Sequence, residues 1–242
     1  MCQKPSVRCN SNSAVGQPYP RRGPLSRQVN LPQGELRDHL SAYASAQVYR
    51  YVVATIENAN GHLVQHGSGP NWQGGILTLC TCKHAMRTSF APENWPAVWI
   101  AGFSGVRAGG GRNALVYLTR VAAAYSSHLA LWQSPLITQQ VKRAKSAAIE
   151  RFGDLFEPRE GAKSPYAARN YQNPCADHVH RQVNHWHNDI NYLGVNKRHA
   201  ALLVGDPAQT YLWQRPTLFW PTSIGRGQRK SGLGALLDEL NI

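Results

Sequence analysis

Residues 178 to 194 read HVHRQVNHWHNDINYLG, two His-x-His pairs with a tryptophan and an aspartate close behind. In an extended segment residues two apart share a face, so His185, His187 and Asp189 would project to one side together. Three such groups could bind a metal, and His187-x-Asp189 opens the two-histidine, one-carboxylate iron triad. That triad needs a histidine far downstream, whereas His199 lies only ten residues after Asp189, so no metal is assigned. Three other uses stay open. His185 or His187 could act as general acid or base with Asp189 orienting it, Trp186 could stack on a base, or the histidines could simply cap backbone groups in a polar loop.

A second cluster, LCTCKH at 79–84, places Cys80, Cys82 and His84 within reach of one zinc ion. It lacks Cys-x-x-Cys spacing, and alternate positions on a strand send two thiols into one core face, so buried thiols are expected. The glycine loop SGVRAGGGRN at 104–113 has neither the Lys-Ser/Thr ending of a P-loop nor a following helix. Arg112 beside bare amides could still meet a phosphate, or the loop is an exposed hairpin. Between Asn58 and Ile149 the only acid is Glu93, which excludes paired-carboxylate hydrolysis from that region. No G-x-S-x-G elbow appears, and no motif specifies a cofactor.

The wider composition narrows the partners. The 242 residues carry a net charge of +13, from 26 Lys and Arg against 13 Asp and Glu. Such an excess attracts phosphate, so DNA or a nucleotide is the expected partner, with solubility as the plain alternative. No apolar run is long enough to span a bilayer, and the opening MCQKPSVRCNSNSAVG lacks the apolar core of a secretory signal. A cytoplasmic protein with no membrane association is expected. Five scattered cysteines, an odd number, read as reduced thiols rather than a disulfide framework.

These groups must be positioned by a small set of elements. Residues 1–45, rich in Pro, Ser, Asn, Gln and Arg, read as a disordered basic arm; residues 46–242 read as a single domain. AQVYRYVVATIE at 46–57 is a strand by β-branched and aromatic density. A long Gly/Asn loop follows, then a short strand in 76–90 turning into a basic segment, and strands at 95–105 and 114–123. Helical character returns over 128–157, loop over 158–192, strand-turn-strand over 198–213, and a closing helix carries Leu233, Leu236, Leu237 and Leu240 on one stripe. Three strands joined by glycine-rich turns favour an antiparallel sheet or small barrel over a doubly wound sheet, and the expected fold is α+β, a small mixed or antiparallel β-barrel with flanking helices.

Taken in order, YRYVVATIENANG, GGILTLCTCKHAMR, AVWIAGFSG, ALVYLTRV, HWHNDIN and ALLVGDPAQTYLW resemble the second type of nucleotide modification associated domain, found in phages and bacteria. The resemblance runs over most of 47–230 and implies a site containing Cys82, Lys83, Arg87, Trp99, Gly102, His185 and His187. It implies a setting of DNA base hypermodification, with base-modification enzymes as partners. The strand order also looks like the PUA-like barrels of the EVE and ASCH type, which hold a modified base at the barrel mouth. Two functions follow as expectations. One is a reader that recognises a modified base, with Trp99 or Trp186 stacking and Arg87, Arg112 or Arg226 on phosphate. The other is an enzyme in which His185 or His187 moves a proton while Lys83 and Arg87 hold the phosphate. A plainer alternative to both is a structural subunit docking DNA through its basic arm.

Overall fold

In the computed structural model the described residues are 8–10, 19–20, 22–178, 184–225 and 227–242. Arg226, expected at phosphate, lies outside them. The strands are β1 (Gln47–Val53), β2 (Ile56–Ala59), β3 (His62–Gln65), β4 (Thr78–Leu79), β5 (Trp99–Ser104), β6 (Leu115–Tyr125), β7 (Leu202–Leu212) and β8 (Arg229–Gly232). The helices are α1 (Gln33–Leu40), α2 (His84–Arg87), α3 (His128–Gln133), α4 (Gln139–Lys145), α5 (His187–Asn191) and α6 (Leu233–Glu239). The fold is α+β. Six strands form one mixed sheet in the order β4-β7-β6-β5-β1-β8, and β2 and β3 pair separately. The sheet does not close into the expected barrel, because β4 and β8 each have a neighbour on one side only.

The period of two in β1 explains why the sheet has a core on each face. Tyr49, Tyr51 and Val53 pack on one side with Ile100, Val116, Tyr117 and Leu203. Val48 packs on the other with Trp99, Phe103, Leu118 and Trp213. Between these two layers β5 is buried at all six residues, which is why its sequence is apolar without alternation. β1 and β5 run parallel. The return over 54–98 needed for that is long, as the loop after β1 implied, and contains the β2–β3 hairpin, β4 and α2.

Two further expectations are corrected. Residues 198–213 hold one strand, β7, rather than strand, turn and strand. The turn signal GDPAQ is real but local: the register against β6 shifts between Thr119↔Thr210 and Val121↔Gly205. The extra residues bulge, closed by Asp206 Oδ1 accepting from the Ala208 amide at 2.9 Å. Part of the segment expected as an arm over 1–45 is also folded. Pro24–Gln28 and α1 are ordered, and Leu25, Leu36 and Leu40 are fully buried. α1 and the leucine stripe of α6 together cover the second face of the sheet, and a leucine every few residues in a polar context was enough to do so.

A disulfide joins Cys9 to Cys175 across 166 residues, where five reduced thiols were expected. Cysteines so far apart carry no proximity signal in the sequence. α3 and α4 start on side-chain caps, Ser127 accepting from the Ala130 amide and Thr138 from the Val141 amide. Among the described residues no helix is long and apolar enough to cross a membrane.

Candidate functional site

The segment after β4 gathers most of the titratable groups. Lys83 sits in the left-handed region, φ 56°, which an L side chain adopts only under local constraint. That kink starts α2 and turns Lys83 Nζ over the Tyr51 ring, 4.8 Å from its centre. Partial burial lowers the Lys83 ammonium below its usual range. Under it, the Tyr51 and Tyr117 hydroxyls lie 2.5 Å apart, both side chains fully buried, and the Cys82 thiol hydrogen-bonds with Tyr51. Burial pushes the Tyr51, Tyr117 and Cys82 groups up, so phenols and thiol are all protonated at neutral pH.

One residue on, His84 Nε2 donates to Asp189 Oδ1 at 2.7 Å, and its ring stacks on Tyr192 at 4.9 Å. Burial and then the positive Arg87 push His84 down to about 3. The carboxylate opposes this shift through the hydrogen bond, but at neutral pH the ring is neutral, with Nδ1 as its acceptor nitrogen. The His84–Asp189 pair is therefore the dyad that His185 or His187 was expected to form with Asp189.

The reason lies in local structure. Residues 184–191 form a turn and the short helix α5, so positions two apart diverge rather than share a face. His185 is exposed, His187 packs edge-on against Trp186 at 4.4 Å, and Asp189 is buried. Trp186 stacks on Phe156 at 5.2 Å and is 5% exposed, which removes it as a base platform. Trp99 is fully buried on the opposite face of the sheet, against Tyr43, and is likewise a core residue.

Arg87 does not face solvent either. Its guanidinium is fully buried and donates to four backbone carbonyls: Nε to Cys82 at 2.8 Å, Nη2 to Cys80 at 2.9 Å, and Nη1 to Ala201 at 2.6 Å and Ala200 at 3.4 Å. It ties α2 to β4 and to the start of β7, and so positions Lys83 and His84 rather than binding phosphate. Gly102 has no ligand role in this geometry: a Cβ there would come within 2.1 Å of the Tyr117 ring. Its absence is what lets Tyr117 reach Tyr51. Arg112 is exposed at the β5–β6 loop with its guanidinium 4.2 Å over Phe219.

Beneath the site lies a polar network that the sequence did not announce. Lys145, fully buried, donates from Nζ to Asn71 O at 2.9 Å, to Asn71 Oδ1, and to Thr78 Oγ1 at 2.9 Å. Thr78 in turn donates to Asp154 at 2.8 Å. Burial lowers Lys145 to about 8 and raises Asp154. Asn71, Lys145 and Asp154 stand far apart in sequence without a shared motif; for Tyr51 and Tyr117 the only signal is that each occupies an inward position of a strand. Cys80 is a buried thiol, as expected, and Cys82 a half-buried one. Among the described residues no three His, Cys, Asp or Glu side chains gather to share an ion.

Comparison with protein-family models, with curated proteins and with solved structures returns no match.

Proposed function

We propose that the chain binds and processes a nucleotide or base belonging to a DNA base-modification system, at the surface formed by Cys82, Lys83 and His84. The observation that carries this is the convergence of an ammonium, two hydroxyls and a thiol beside a neutral histidine held by a carboxylate. Such a set of mutually perturbed groups marks chemistry more often than scaffolding. The removal of Trp99 and Trp186 into cores favours processing over pure recognition, since the reader lacks the stacking walls expected of it.

In this proposal Lys83 holds the phosphate and His84 Nδ1 accepts a proton. A bound anion would offset the Arg87 contribution to the lowered His84 value, although burial, its larger cause, would persist. A PUA-like base pocket is the fold-level form of the same proposal, supported by a mixed sheet whose β4 end carries these groups. Cytoplasmic location and enzymes of base modification as partners belong to it as well.

The test is incubation with modified and unmodified nucleotides and DNA, with binding and product mass followed together. The expected outcome is a mass change that His84→Gln abolishes and Lys83→Ala weakens through KM. Tight binding with no mass change across the panel would leave a reader instead. A DNA-docking role is favoured by one further observation, Arg50 and Arg229 facing each other across β1 and β8. It predicts steeply salt-dependent binding that ignores base identity.

A further inference from the structure

On the far side of the Tyr192 turn from His84 lies a second concavity, an open cleft of about 170 Å³ lined by Phe90, Pro92, Ser126, Tyr166, Arg198 and His199. Its volume is below the roughly 300–1,000 Å³ of pockets that enclose a whole drug-sized ligand, so it takes a single ring or fragment. Its walls are fixed. Tyr166 and His199 lie face to face, ring centres 3.5 Å apart and planes within 10°. His199 Nδ1 donates to Tyr192 O at 3.2 Å. Phe90 is held edge-on by Trp95 at 5.2 Å. The turn carrying Arg198 is closed by Gly194 N to Arg198 O at 2.9 Å and pinned to the end of α2 by Asn196 Nδ2 to Thr88 O at 2.7 Å. Arg198 is exposed, its Nη1 reaching only the Ser89 carbonyl at 3.3 Å, and among the described residues it has no carboxylate partner within ion-pair distance.

Flat aromatic walls select a planar ring, and a guanidinium at the rim selects negative charge beside it. We propose that this cleft is a second binding site, for one planar aromatic ring with an adjacent anionic group, the chemistry of a nucleoside monophosphate. It does not depend on the function proposed for Lys83 and His84. The two sites meet at the Tyr192 turn, whose ring meets His84 and whose carbonyl meets His199, and at the end of α2.

Calorimetric titration of the full chain with cytidine 5′-monophosphate, whose base is a single ring, tests it. Arg198→Ala and Tyr166→Leu should each weaken binding by about tenfold or more, the scale of one lost charge-assisted contact. Ala91→Trp, which fills the cleft, should abolish binding while the circular dichroism spectrum stays unchanged. Cytidine and ribose 5-phosphate, each carrying half of the recognised chemistry, should both bind more weakly than the monophosphate. Lys83→Ala removes any binding at the Lys83 surface and should leave in place the binding that depends on Arg198 and Tyr166. Absence of binding, equal binding of ribose 5-phosphate, or insensitivity to all three cleft variants overturns the proposal. Loss on Lys83→Ala alone would overturn it while leaving the Lys83 site standing.

Discussion

A methyl group at position 102 would occupy space already filled by the Tyr117 ring, 2.1 Å away. Gly102→Ala is expected to cost about 1–3 kcal/mol, the scale of overpacking, and to separate the Tyr51 and Tyr117 hydroxyls; denaturant unfolding and tyrosine absorbance report the two effects. Acid acts on single residues too. His84 and His128 both titrate near 3 in the folded protein, each through burial and then Arg87, against about 6.5 when unfolded. Their folded-state values are lowered, so the unfolded chain takes up protons that the folded chain refuses. Stability is therefore retained above about 6.5 and lost as pH falls toward 3. His128→Asn, which keeps an acceptor for the Phe156 amide that Nδ1 now binds at 3.2 Å, should flatten the urea midpoint between pH 7 and pH 4. Lys145→Met should cost about 3–5 kcal/mol by leaving Asp154 buried beside no cation, and the double variant Lys145→Met/Asp154→Leu should recover part of that loss.

At the scale of elements, Arg87 is the residue on which α2, β4 and β7 depend together. Lysine has the charge but not the planar fork that serves four carbonyls, so Arg87→Lys should lower the unfolding midpoint and loosen Lys83 and His84 in the same step. Hydrogen exchange at Ala201, whose amide bonds Arg87 O at 3.1 Å, would register it. The strands were legible in the sequence because β1, β5, β6 and the ends of β7 are dense in β-branched and aromatic residues, and α6 because its leucines keep helical spacing. The parallel pairing of β1 with β5 was not, since strand composition carries no direction. The site was half legible: Cys82, Lys83 and Asp189 were named, but His84 was read only as a weak zinc candidate. The partner of Asp189 comes from 105 positions away, a contact that no local spacing encodes. The extended reading of HWHND misled for a related reason: a turn leaves His185 exposed, and the short helix after it buries Asp189.

Across the whole molecule, the Cys9–Cys175 link closes a loop of 166 residues, for which chain entropy alone gives about 5 kcal/mol at 25 °C. Dithiothreitol should lower the unfolding midpoint of the natural chain, and Cys9→Ser should start from the lower value and ignore the reductant. The order of the sheet has a consequence of another kind, in time. β1 is made early, but one of its two neighbours, β8, is Arg229–Gly232. At about 5–20 residues per second, the outer side of β1 goes without its partner for roughly 10–35 s while the rest of the chain is synthesised. Through that interval QVYRYVV is an open strand edge of the sort that pairs with other chains. A chain ending at residue 228 would keep that edge permanently, and should be recovered as aggregate rather than as a slightly shorter fold.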